Sequence, residues 1–284
     1  MKKLLALVLV GVMTFALVGC GSTASEKEET ATEAATEVTT EATTETATEV
    51  TTEAATEATG DREVLVVGTN AEFPPFEYVG DDGEPDGFDM ALIKAIADKA
   101  GMDVQIENME FASLVSSIGT KIDVAVAGMT VTDERKEAVD FSDPYYEAVQ
   151  YVIVPEGSDI AVAADLEGKN IGVQLGTTGD FIAEEIADAN VSSYNKAVDA
   201  VNDLINGKVD AVIIDKNPAL IFEEKFTGQV VAIDGADFDF EPEEYAIALP
   251  KGDTELADKI NNALAELKSD GTFDKLVSQY IEEN

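Results

Sequence analysis

KIDVAVAGMTVTDERKEAVDFSDPYY, residues 121–146, is the most informative stretch of the chain. Ile122–Ala127 is an apolar, β-branched run, too short for a helix spanning a core, and predicts a buried parallel strand. Gly128 ends it. Thr132 is placed to cap a short helix whose first turn carries Asp133 and Glu134, the signs that the helix dipole prefers. Arg135 falls in that turn. It and Arg62 are the only arginines in the 284 residues; every other cation is a lysine. A planar guanidinium offers two parallel donors that match a carboxylate. Its position just past the C-terminal end of a buried strand is where open parallel sheets bind ligands, so Arg135 points to carboxylate capture. The alternative for Arg135 is a surface ion pair with Glu134 or Asp140.

Working outward, Val64–Gly68 reads as a strand running into GTNAEFPPFEY (residues 68–78), a loop with two prolines and three aromatics. Such loops often wrap a ligand. Asp86 or Gly87 leads into a helix closed by Gly101, with Met90, Ile93 and Ala97 on one face. Strand 104–109 and a short helix 111–118 come next. After Tyr146 a strand, 149–155, carries the chain away, and a second β/α series begins. Residues 171–173, 191–194, 211–214 and 230–233 read as strands and 178–189, 198–205 and 218–226 as helices; 245–249 is a strand back, and helices 254–267 and 273–280 finish. Alternation of this kind argues parallel sheets.

There is an internal echo. GTKIDVAVAG (119–128) and GKVDAVIID (207–215) share a glycine, a lysine, an aliphatic–Asp pair and a buried run. The echo sets Gly128 and Asp215 at corresponding strand ends, as two lobes facing across a cleft would require. A cation from one lobe and an acceptor from the other would complement a zwitterion.

The first 60 residues differ in kind. Met1-Lys2-Lys3 and the apolar run 4–18 form a leader of secretory length ending Leu17-Val18-Gly19-Cys20, which looks like a lipobox. Cys20 is the only cysteine in the chain. The expectation is a signal peptide over 1–19, lipid on Cys20, and a chain held at the outer face of the cytoplasmic membrane with no internal disulfide. Beyond Gly21 the chain is mostly Thr, Ala and Glu, with Glu33, Glu37, Glu41, Glu45, Glu49, Glu53 and Glu57 recurring every fourth residue. Like charges stacked on one helix face are unfavourable, so residues 20–60 predict an extended, self-repelling tether.

The formal charge is −40, and residues 26–59 hold only ten Glu and one Lys of it, so the folded remainder is itself acidic. That excludes nucleic acid as a partner, argues against docking on an anionic bilayer and predicts a monomer. The chain has no histidine, which removes Ser-His and Cys-His triads and histidine metal sites. Nothing calls for a metal or a cofactor. IGVQLGTTGD (171–180) opens a helix and could offer N–H groups to an anion, but lacks the lysine of a P-loop. A capped helix start with Thr178 satisfying its own turn explains it equally well.

Taken in order, GTNAEFPPFEY, GFDMALIKAIA, residues 121–146, GVQLGTTGD, KVDAVIID, YAIALPKGDTEL and GTFDKL resemble the polar amino-acid-binding proteins of ABC importers. The likeness runs from about Glu63 to Glu282. It implies an α/β, two-lobed, type II periplasmic-binding-protein-like fold, each lobe a parallel-rich sheet flanked by helices. Lobe 1 would comprise 61–147 and 246–284 and lobe 2 148–245, joined by hinge strands near 146–151 and 243–247 and closing by hinge motion. It also implies a free amino acid as ligand and ABC permease subunits as partners. Carried over by position, Arg135 would grip the α-carboxylate with N–H groups at Thr130 and Thr178. Asp215 and the Gly128 carbonyl would hold the α-ammonium. Phe73 and Phe111 would sandwich the side chain, and Asn70 and Gln174 would read its far end. Many relatives have Asp where Asn70 stands, which weakens a basic ligand unless Glu72 points inward, and Gly179 offers no polar side chain. The same fold also resembles cyclohexadienyl dehydratases, for which Glu72 would be the acid; a ligand-sensing domain is a third reading.

Overall fold

The structure is a computed structural model, and it describes residues 62–282. The leader, Cys20 and the glutamate-repeat tether lie outside the described residues.

Two five-stranded mixed sheets carry the fold. In the first, the order is Met102–Asn108, Glu63–Thr69, Val124–Ala125, Ala248–Pro250, Val139–Phe141; in the second it is Asn190–Tyr194, Asn170–Gln174, Ala211–Asp215, Gln150–Pro155, Val230–Ile233. In each sheet the first three strands are parallel and the fourth runs against its neighbours. The two echo sequences supply the third strand of each sheet, so the internal similarity marks topologically equivalent places. The fourth strand is the one that returns from the second series in sheet one and the one that enters it in sheet two. Between these, Tyr146–Ala148 pairs antiparallel with Glu243–Tyr245, and the chain passes from one sheet to the other there in both directions. Two short crossing strands are the arrangement that lets two lobes move as bodies about a hinge.

Helix Phe88–Ala100 buries Met90, Leu92, Ile93, Ile96 and Ala97 and ends on Gly101 in the left-handed region, φ 75°. It packs against the helix Thr254–Ser269, which buries Ile260, Ala263, Leu264 and Leu267. Burying five such side chains contributes on the order of 1.5–3 kcal/mol each for the large ones.

Several boundaries differ from the sequence reading. The strand expected over 122–127 is regular only at Val124–Ala125, because Ile122 is still closing the turn on Ser117 and Gly119, and the chain bends at Gly128. The run nonetheless stays beside the first strand, through Asp123 N–H to Val66 O and Val126 N–H to Gly68 O. The strand expected over 245–249 divides. Tyr245 pairs with Tyr146, the N–H groups of Ala246 and Ile247 go to Met129 O and Ser142 Oγ, and only from Ala248 does the chain join the first sheet. Helix 178–189 stops at Glu185, with Ile186 extended and Asp188 at φ 55°. Helix 218–226 begins at Lys216. The loop over 68–78 contains part of a small three-stranded sheet, Glu72–Phe73, Glu77–Val79 and Pro85–Asp86. Among the described residues no helix is long and apolar enough to cross a membrane.

Candidate functional site

Arg135 occupies the first turn of helix Asp133–Ala138, where the Thr132 hydroxyl accepts its backbone N–H at 3.1 Å. The side chain is 7% exposed. Nη1 donates to Thr130 O at 2.7 Å and Nη2 to Gly176 O at 3.0 Å, so one guanidinium spans backbone of both series. Its central carbon lies 5.4 Å from the Phe111 ring centroid, a cation–π arrangement. The expected alternative, an ion pair with Glu134 or Asp140, is not what forms: Asp140 pairs with Lys251 at 2.8 Å and Arg135 is buried. Burial pulls the Arg135 pKa down, while the charges of Glu243 and Asp215 act to raise it.

Asp215 ends the strand Ala211–Asp215 and is buried. Its Oδ1 accepts the Tyr245 hydroxyl at 2.6 Å. Burial, and after it the nearby Glu243, pushes its pKa up to about 7. Arg135 and Asp215 thus present opposite signs from the two sheets. Gly128, at φ +52°, lines the same cavity, and a Cβ there would lie 3.1 Å from the Phe73 ring.

Behind Gly128 stands a group of buried acids that the sequence reading missed. Asp89 Oδ2 accepts the Gly128 N–H at 2.7 Å and the Tyr145 hydroxyl at 2.8 Å. Burial lifts Asp89 to about 6, against those two bonds. Glu77, also wholly buried, is raised well above the carboxylate range by burial and then by Asp89, which favours its protonated form. Two carboxyls this close and this dry cannot both ionise cheaply. The signal was the acid in each of the quoted stretches FPPFEY and GFDM, where burial rather than pattern decides its role.

At the far end, Gln174 Nε2 donates to Asn70 Oδ1 at 2.8 Å and to Asn195 O at 3.2 Å, and Asn70 Nδ2 donates to Met109 O at 2.9 Å. Gln174 thus has both amide N–H donors engaged within the protein and Asn70 one of its two. Glu72 does not enter this space: it pairs with Lys196 at 2.6 Å, beside the cavity's outer edge.

Thr178 is the first residue of helix Thr178–Glu185, but Thr177 is its cap, accepting Asp180 N–H at 3.3 Å. The Thr178 hydroxyl instead donates to Glu243 Oε2 at 2.8 Å, as does the Thr130 hydroxyl at 2.6 Å. Gly179 is buried, and a Cβ there would come within 2.9 Å of Ile213 O, so the close packing admits only glycine. All nine ligand residues named from the sequence line one small cavity, together with Ala127 and Thr177. Phe73 contributes a buried ring, whereas one face of Phe111 meets Arg135.

A cavity at corresponding strand ends of two sheets, with a buried arginine from one and a buried aspartate from the other, is the arrangement that the resemblance implied. Residues 65–283 match the bacterial extracellular solute-binding proteins, family 3. The chain belongs to that family. The chain is 33% identical to the arginine-binding extracellular protein ArtP of Bacillus subtilis strain 168, over 99% of this chain and 98% of ArtP. An ancestral arginine-binding protein bound to arginine superposes with a TM-score of 0.73 at 41% identity, covering 78% of this chain and 99% of that one. An ancestral arginine-binding protein bound to glutamine gives a TM-score of 0.71 at 41% identity, covering 78% of this chain and 98% of that one. Family 3 members are binding proteins, and the two-lobed fold is theirs.

Proposed function

We propose that the cleft captures a free L-amino acid whose side chain ends in N–H donors, of the arginine or glutamine kind, and delivers it to the permease of an ABC importer. The observation that carries this reading is the pairing of buried Arg135 with buried Asp215 across one cavity. A buried charge needs a counter-charge, and Arg135 makes no ion pair among the described residues; two of its five N–H donors go to carbonyls. An α-carboxylate on Arg135, with the N–H of Thr178 at its helix start, and an α-ammonium on Asp215 and Gly128 O, compensate both charges with one zwitterion. At the far end Gln174 has spent both its donors and offers its side-chain oxygen as an acceptor, while Asn70 has spent one donor of its two. That favours guanidinium or carboxamide ends, as in the arginine- and glutamine-bound relatives.

The dehydratase reading gains nothing, because Glu72, its acid, is tied to Lys196 outside the cavity. We place the protein on the extracytoplasmic side, anchored by lipid on Cys20 through the tether, with residues 148–245 as the second lobe and monomeric in solution. The test is a melting panel of unfolded and refolded protein against the twenty amino acids, ornithine, citrulline and cystine. A ligand at 100 times its Kd adds about 2.7 kcal/mol. Stabilisation by arginine or glutamine, lost in Arg135→Ala, supports the proposal; stabilisation by none of the panel defeats it.

A further inference from the structure

Glu243 stands at the crossing of the two lobes and is absent from the residues that the resemblance assigned to the ligand. It opens the crossing strand Glu243–Tyr245, and residues two apart on a strand share a face. Tyr245 bonds to Asp215 at 2.6 Å, and Glu243 accepts the Thr130 hydroxyl at 2.6 Å and the Thr178 hydroxyl at 2.8 Å. Gln150 Nε2, which donates to Thr178 Oγ1 at 3.1 Å, lies 3.5 Å from the same Glu243 oxygen. One carboxylate therefore ties a hydroxyl from the first lobe to a hydroxyl from the second. It also turns both hydroxyl protons away from the ligand, leaving backbone N–H groups and Arg135 to meet the ligand carboxylate.

Building on the amino-acid reading above, we propose that Glu243 is a positioning residue which clasps Thr130 and Thr178 and, by its charge beside Asp215, couples ligand capture to the release of a proton.

The groups facing Asp215 are Glu243 and Tyr245 on the crossing strand, Tyr146 on its partner, Gln150 on the entering strand, Arg135 on its short helix and Glu77 on the small sheet. Glu243 is the ionic group among them that does most, after burial, to hold a proton on Asp215, whose pKa stands at about 7. An arriving ammonium keeps its own protons and replaces that one as the positive partner. The Asp215 carboxyl becomes a carboxylate, its proton passes to the buffer, and no other bond changes.

The experiment is calorimetric titration of arginine and of glutamine into wild type, Glu243→Gln and Glu243→Asp, from pH 5 to 8, in two buffers of different ionisation enthalpy. The Asp215 carboxyl is followed in parallel by NMR in the ligand-free protein. Glu243→Gln keeps one side-chain acceptor for the two hydroxyls, exchanges the other oxygen for an NH2 group and removes the charge. In wild type, affinity should fall about tenfold for each unit below pH 7, with about half a proton released at pH 7. In Glu243→Gln the fall and the NMR midpoint should both move about one unit lower, and Glu243→Asp should restore them. Binding with an unmoved midpoint in Glu243→Gln overturns the inference and leaves the function standing. No binding of either amino acid, with wild type folded, overturns both.

Discussion

At the Arg135–Asp215 end of the cavity the charges are buried and each has fixed partners: two carbonyls for the guanidinium and a tyrosine hydroxyl for the carboxylate. At the Asn70–Gln174 end two neutral amides bond to each other, and the nearest charges, Glu72 and Lys196, are half exposed and paired. The first end suits what all amino acids share; the second suits what differs among them. Fixed, desolvated charges discriminate strongly and adapt poorly. Amides with exchangeable partners can be re-aimed by small changes at modest cost. One cavity can then keep its grip on the zwitterion while its side-chain preference drifts.

The largest effect should come from removing the buried cation. Arg135→Ala should lower affinity for arginine or glutamine by about 2–5 kcal/mol, and Arg135→Lys should recover only part, since an ammonium cannot hold the carboxylate bidentately. Isothermal titration reads this directly, and an affinity within twofold of wild type would contradict the assignment of Arg135.

The aspartate should make its end sensitive to pH in a direction opposite to ordinary surface carboxylates. Asp215 has its folded pKa raised to about 7, against about 3.9 in an unfolded chain. Below pH 4 both states carry the proton. As pH rises from 4 to 7 the unfolded chain releases it first, so ligand-free stability contributed by this group is lost across that window. The loss is on the order of a few kcal/mol. Asp89, raised to about 6, adds to the same slope. Urea unfolding of ligand-free protein from pH 4 to 8 should give a falling curve that flattens above 7, and Asp215→Asn should make it shallower. An unchanged slope in Asp215→Asn would refute the assignment.

The acid behind Gly128 tests whether the rigid end needs its backing. Asp89→Ala leaves the Gly128 N–H and the Tyr145 hydroxyl without their acceptor, and an unsatisfied buried donor costs about 1–3 kcal/mol. Chemical denaturation should record that loss; a change below about 0.5 kcal/mol would mean that the strand end relaxes freely. The smallest effect belongs to the far end. Lys196→Ala breaks a half-exposed ion pair and should change stability by at most about 1 kcal/mol. It should still alter the ranking of arginine against glutamine, because it frees Glu72 to face a cationic side chain. A ranking identical to wild type would confine Lys196 to the surface.

What the sequence made legible follows the same division. Arg135, Gly128 and Asp215 could be singled out because strand ends, a scarcity of arginine and an internal echo are patterns of chain order. The sheet equivalence of residues 119–128 and 207–215 came from the same source. Glu243, Glu77 and Asp89 could not, because each draws its role from what is packed around it from distant segments. Glu72, by contrast, enters the sequence reading only on the condition that it points inward, and it is held by Lys196. The split strand at 246–247 was invisible for a related reason. Continuous apolar sequence does not reveal where a chain changes sheets.

The proposed function requires the cleft to read both charged groups of one free amino acid. The most direct measurement is the calorimetric titration of arginine beside agmatine, which keeps the guanidinium and the amine and lacks the carboxylate, with glutamine titrated alongside. The prediction is saturable one-to-one binding of arginine or glutamine and at least about thirtyfold weaker binding of agmatine, the equivalent of about 2 kcal/mol. Agmatine binding as tightly as arginine, or no heat from any of the three, would contradict the role given to Arg135 and the zwitterion clamp with it.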